Sequence, residues 1–221
     1  VFGNQASVLV GDFLYSRSFQ MMVDIGDMRV MQILADATNT IAAGEVMQLM
    51  NVHNPDATED EYQQVIYRKT ARLFEAGAQI ASVLADCDPV VEAAMVHYGQ
   101  SLGTAFQLVD DALDFNASSE ELGKNLGDDL AEGKATLPLI YAMQVGTENE
   151  RALIRKAIVD GGLEQMDAIQ SIFESTGALA YTERRAHEAA DQAIAALADI
   201  PGSEHKQALI SIAEFAVKRR S

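Results

Sequence analysis

The sequence predicts an all-α protein folded as a single helical bundle, and three observations predict it. Only 4 of the 221 residues are proline, while alanine and methionine, both good helix formers, recur throughout. Apolar residues repeat at helical spacing along nearly the whole chain, and no stretch has the period-two alternation of a half-buried strand. Helix-capping patterns stand ahead of these runs. No internal repeat, low-complexity tract or linker divides them, so one bundle is expected rather than two domains.

The first helix is expected from the start of the chain to about Val23, with Val8, Leu9, Phe13, Phe19 and Met22 at helical spacing and Ile25-Gly26-Asp27 ending it. The second runs from Met28 to Met50 on Val30, Ile33, Leu34, Ile41, Val46 and Leu49, until Asn51–Asp56 with Pro55 breaks it. Thr58 and Glu61 form a capping box, in which each side chain satisfies the other's backbone N–H, and they open a long helix to about Leu84. Asp88-Pro89 sets a capping carboxylate before a proline whose missing N–H is harmless in a first turn, and this helix continues to about Phe115. Asn116–Gly133, rich in Gly, Asp, Glu and Ser, is the one long irregular stretch, and loops of that length tend to be functional. Helices resume over Ala135–Gln144, with Pro138 in the first turn. A second capping box, Thr147 with Glu150, opens Glu148–Asp160. Leu163–Ser175, Ala178–Leu197 and Ser203–Arg219 follow.

Charge excludes one class of partner. With 16 basic and 33 acidic residues the formal net charge is −17, a field that repels DNA and RNA, so no nucleic-acid partner is expected. A local phosphate site remains open, because a metal ion or a few lysines reverse the sign nearby. The longest apolar runs, such as Val8–Val10 and Ile41–Gly44, fall far short of the ~20 residues of a membrane span. One cysteine, Cys87, excludes an internal disulfide and fits a cytoplasmic setting. His53, His97, His187 and His205 lack ligand spacing, and no Glu-x-x-His pair is present, which disfavours a di-iron bundle. Met21, Met22, Met28, Met31, Met47 and Met50 are expected to fill the core or a subunit interface.

The chemistry is expected in Gly103–Asp114. At about 100° per residue, Asp110, Asp111 and Asp114 fall on one face with Gly103 and Gln107. Three carboxylates this close repel one another, and a hard divalent cation offsets that repulsion, as does plain exposure at a solvated helix end. The loop beyond favours the cation. Gly123-Lys124 and Gly133-Lys134 place two of the few lysines beside glycine near the acidic cluster, where the backbone can approach a ligand and an ammonium can meet phosphate. Lys69 with Thr70 is either a third basic element of a diphosphate site or a surface lysine.

These segments resemble the trans-type polyprenyl diphosphate synthases, most closely their octaprenyl branch, and the likeness spans the whole chain. Gly103–Asp114 is similar to the family's second aspartate-rich motif, Gly123–Pro138 to the loop after it, Arg68-Lys69-Thr70-Ala71 to its lysine-threonine motif, and Gly44–Leu49 to a further segment. The resemblance implies a bundle of the isoprenoid synthase type. It implies that Asp110, Asp111 and Asp114 hold Mg²⁺, with Mn²⁺ as a substitute, Asp110 and Asp114 being the direct ligands. Lys69, Lys124 and Lys134 would neutralise the allylic diphosphate, and Thr70 and Gln107 would turn oxygens toward the allylic carbon. The implied reaction condenses isopentenyl diphosphate with an allylic prenyl diphosphate into a long trans-polyprenyl diphosphate, octaprenyl for quinone side chains, in a homodimer. A terpene cyclase, a head-to-head prenyl synthase and a non-catalytic helical partner subunit are the alternatives. Residues 1–221 are expected to be the larger, C-terminal part of one such domain, inactive alone, with the first aspartate motif and the isopentenyl diphosphate site ahead of Val1.

Overall fold

The computed structural model describes residues 3–116 and 126–219, and among them every regular element is helical. The elements are α1 (Gly3–Ile25), α2 (Met28–Asn51), α3 (Glu59–Ile66), a π-helical turn (Tyr67–Ala71), α4 (Arg72–Leu84), α5 (Pro89–Leu113) and α6 (Asp128–Ala131). Then come α7 (Leu137–Val145), α8 (Glu148–Asp160), a 3-10 turn (Leu163–Gln165), α9 (Met166–Thr176), α10 (Ala178–Ala196) and α11 (Glu204–Lys218). Both capping boxes form: Thr58 Oγ1 accepts from the Glu61 N–H while Glu61 accepts from the Thr58 N–H at 2.8 Å, and Thr147 and Glu150 repeat the pattern. Asp88 Oδ1 accepts from the N–H groups of Val90 and Val91 ahead of Pro89.

α5 is the central helix, packed between α4 on one side and α10 on the other. One core cluster joins Tyr62, Ile66, Leu108, Val109, Leu137 and Ile140, beneath the C-terminal half of α5. A second gathers Phe115, Leu130, Leu139, Ile154, Ile169 and Phe173 and seats the short α6. A third, with Tyr98, Leu102, Leu197 and Ala213, fastens α11 to α5 and α10.

Several expectations shift. The long helix opened by Thr58 is interrupted by the π-helical turn at Tyr67–Ala71. The irregular stretch contains α6, and α7 begins at Leu137 because Thr136 is extended. The segment expected to start as α-helix at Leu163 starts as a 3-10 turn. The apolar positions of α1 are not covered: among its described residues only Met22 is buried, while Leu9 and Phe13 are 67% and 66% exposed. On α2, Val30 and Ile33 face the core as expected, but Val46 and Leu49 point outward and Gly44 points in. Of the methionines, Met22 fills the core, and Met21, Met28 and Met50 are exposed.

Candidate active site

Lys69 and Thr70 lie in the π-helical turn, a rare geometry that recurs at functional sites. Two glycines hold it. A Cβ on Gly44 would stand 2.8 Å from Arg68 Cβ and 2.9 Å from the Lys69 nitrogen, and one on Gly103 would stand 2.6 Å from Ala71 Cα. Close packing against the turn therefore accounts for Gly44. The approach of α5 brings Gln107 to Thr70, whose hydroxyl donates to Gln107 Oε1 at 2.8 Å. From α2, Gln48 Oε1 accepts from Lys69 Nζ at 2.6 Å, and Glu45 lies 3.6 Å from the same ammonium.

The carboxylates sit at the C-terminal end of α5, where the helix dipole adds its own negative pole. Asp110 is half-buried, with the Arg219 guanidinium 3.7 Å away. That guanidinium also lies 3.9 Å over the Phe106 ring and donates to the Phe106 carbonyl, tying the end of α11 to the site. Asp111 is buried; it accepts from the Tyr62 hydroxyl at 2.5 Å and from Gln107 Nε2 at 2.7 Å. Burial, with the charges of Asp129 and Asp110, pushes the Asp111 carboxyl up to about 7 despite those hydrogen bonds. Asp114 accepts from the Asp129 N–H at 3.2 Å, and burial followed by the charge of Asp129 pushes it up to about 7 as well. Burial and Asp111 together hold the Tyr62 phenol well above its ordinary range, so it stays a donor.

Lys134 closes the far side. Its ammonium donates to Asp129 at 2.8 Å and pairs with Glu132 at 2.7 Å. Burial pulls it down, but these two partners outweigh burial and hold Lys134 above its ordinary range. Gly133, at φ +75°, turns the chain so that its carbonyl accepts from the His53 N–H at 2.7 Å, and the His53 ring lies directly on it. Thr136 is the residue before α7, yet its buried hydroxyl does not cap the helix and has no partner among the described residues.

Lys69, Thr70, Gln107, Asp110, Asp111 and Lys134 all line one cavity of about 220 Å³. Asp114 is one turn beyond the lining, reached through Asp129, which does line it. Lys124 and Gly123 lie outside the described residues. The cavity also presents Gln48, Tyr62 and Thr136, which the sequence did not single out. Tyr62 carried a signal, standing two helical turns before Lys69. Among the described residues no three acidic, His or Cys side chains converge into a complete metal cage. That suits a hard divalent ion that keeps waters and takes one or two carboxylates together with substrate phosphates. The crowded, half-buried carboxylates fit such a cation chemically.

The family model described as Polyprenyl synthetase matches residues 1–176. The octaprenyl diphosphate synthase of Escherichia coli (strain K12) is 53% identical over 219 residues, covering 99% of this chain and 68% of that protein. This chain belongs to the polyprenyl synthetase family. A nonaprenyl diphosphate synthase of Rhodobacter capsulatus, described as geranyl-diphosphate specific, is 44% identical over 98% of this chain and 66% of its own length. Among solved structures, the polyprenyl synthase of Caulobacter crescentus CB15, complexed with calcium and isoprenyl diphosphate, superposes with a TM-score of 0.93 at 42% identity, covering all of this chain and 68% of that one. Polyprenyl synthetases are prenyltransferases that use a divalent metal and join isopentenyl diphosphate to an allylic diphosphate. No helix among the described residues is long and apolar enough to cross a membrane.

Proposed function

We propose that this polyprenyl synthetase makes a long-chain, octaprenyl, trans-polyprenyl diphosphate, and that its cavity holds the diphosphate of the allylic substrate. The reading is carried by one observation: Lys69, Lys134 and Asp110, from three separate segments, line the same cavity with Thr70 and Gln107. Identity of 53% to an octaprenyl diphosphate synthase supports the product length. Asp110 and Asp114 would hold Mg²⁺, with Mn²⁺ as a substitute, and Asp129 would bridge Asp114 to the cavity. A bound divalent ion supplies neutralisation of the charge that collects on a leaving diphosphate.

The side chains do the remaining work. Lys69, Lys124 and Lys134 would neutralise the diphosphate on the sides away from the metal, so that charge stabilisation is in place before the bond breaks. Thr70 and Gln107 face the carbon that turns cationic. No covalent nucleophile is required. Residues 1–221 form the larger part of one synthase domain in this reading. The chain works as a homodimer, which the uncovered apolar residues of α1 and the exposed Met28, Leu49 and Met50 support. A single cysteine supports a cytoplasmic location.

The test is labelled isopentenyl diphosphate incubated with an allylic primer and Mg²⁺, using the full-length polypeptide. Stepwise extension by five-carbon units is expected. A cyclase or a head-to-head synthase would consume the primer without incorporating label. Asp110→Ala with Asp114→Ala should abolish turnover, and unchanged turnover would remove the metal assignment.

A further inference from the structure

Both carboxylate oxygens of Asp111 already accept from protein. Oδ2 takes the Tyr62 hydroxyl at 2.5 Å and Oδ1 takes Gln107 Nε2 at 2.7 Å, and the residue is only 2% exposed. Gln107 turns its NH₂ toward Asp111, and in its ionised form the carboxylate, which accepts and cannot donate, holds it there. Oε1 then lies on the other side, where it accepts from Thr70 Oγ1 at 2.8 Å. The reversed amide would set an acceptor against an acceptor at Oδ1.

We propose that Asp111 is a positioning residue and not a metal ligand: with Tyr62 it fixes the amide of Gln107, and through Gln107 the hydroxyl of Thr70, so that the oxygens of both are turned to the ligand. The Thr70 proton is committed to Gln107, which leaves the lone pairs of Thr70 and the second lone pair of Gln107 Oε1 for the ligand. Such an arrangement suits a carbon cation that has no proton to donate and needs fixed dipoles oriented before charge develops. Tyr62 belongs to the device because it saturates the second oxygen of Asp111 from α3. The inference rests on the prenyl-transfer reading of the cavity.

The experiment uses the full-length polypeptide with two probes: Mg²⁺ plus inorganic pyrophosphate, titrated calorimetrically, and turnover of an allylic primer with isopentenyl diphosphate. Asp111→Asn keeps the size but can accept or donate at either position, because the Tyr62 hydroxyl turns to match it, so neither orientation of the Gln107 amide is enforced any longer. Its affinity for Mg²⁺ and pyrophosphate should stay within about threefold of wild type, while kcat falls about a hundredfold and KM holds. Tyr62→Phe should leave affinity unchanged and lower kcat about tenfold. Asp110→Asn, in contrast, should weaken binding about a hundredfold. If Asp111→Asn loses as much affinity as Asp110→Asn, Asp111 is a ligand and the proposal is overturned. Wild-type kcat in either Asp111→Asn or Tyr62→Phe overturns it as well, and Tyr62→Phe decides alone if Asp111→Asn does not fold. A wild-type protein that binds no pyrophosphate with Mg²⁺ refutes the underlying reading of the cavity instead.

Discussion

Two glycines in adjacent helices make an internal experiment. Gly77 in α4 is exposed, and a Cβ added there would meet nothing within 4 Å. Gly77→Ala should therefore deliver the full helix-propensity gain of about 1 kcal/mol, raising Tm by about 2–4 °C in a chain of this size. Gly103→Ala gains the same propensity, but its Cβ arrives 2.6 Å from Ala71 Cα, a backbone atom that cannot swing aside. Ordinary contact begins at 3.4 Å, so α5 and the π-helical turn must part by about 0.8 Å. Overpacking of this kind costs about 1–3 kcal/mol, which cancels the propensity gain and leaves a net loss of up to about 2 kcal/mol. Tm should be unchanged or lower by up to about 8 °C. Activity should suffer more than stability, because the displacement acts on Thr70, beside Ala71, and on Gln107, one turn along α5. A shift of about 1 Å in positioning groups lowers rates by up to about a hundredfold. Thermal melts of both variants and turnover of the full-length polypeptide check this. If Gly103→Ala melts higher, as Gly77→Ala does, and turns over normally, the close-approach argument is wrong.

Three further outcomes are expected. Asp111 and Asp114 are both pushed up to about 7, so in metal-free protein the folded chain holds protons that the unfolded chain has released; their contribution to stability is full below about pH 4 and is lost as pH rises through about 7. The metal-free Tm should fall from about pH 5 to about pH 8, Mg²⁺ with pyrophosphate should remove most of that fall, and a metal-free Tm that rises over the interval contradicts the assignment. Gly133→Ala must hold a left-handed φ and push against the His53 ring, 2.3 Å away, which costs about 1–2 kcal/mol and loosens Lys134; lower Tm and weaker pyrophosphate binding should appear together by calorimetry. Leu9→Glu with Phe13→Glu, one turn apart on the exposed face of α1, should convert a dimer to a monomer in size-exclusion chromatography with light scattering, without unfolding the core they do not touch.

What was legible in the sequence was local or carried by a motif. Thr58-Glu61, Thr147-Glu150 and Asp88-Pro89 act within one turn, so their patterns placed three helix starts to the residue. The motifs around Lys69, Gln107, Asp110 and Lys134 placed the cavity. The π-helical turn was not legible, because Tyr67–Ala71 is helical by propensity and its extra residue is accommodated where Gly44 and Gly103 press on it from other helices. The outward turn of Val46 and Leu49 follows from the same contact, which draws Gly44 to the inner face of α2. The part played by Tyr62 was not legible, because its hydroxyl meets a partner 49 positions away. Thr136 was expected inside the helix over Ala135–Gln144, and it instead precedes α7 with its hydroxyl buried.

The tether between the end of α11 and Phe106 spans 113 positions, and the bond from Thr70 to Gln107 spans 37. No single hairpin or helix carries the whole cavity, since Gln48, Asp129 and Lys134 join it from outside the pair formed by α4 and α5. Its amides should exchange with deuterium only through openings that dismantle the bundle, and a ligand bound there should slow exchange in α5 and α10 alike. The geometry of the cavity is thus a property of the whole bundle.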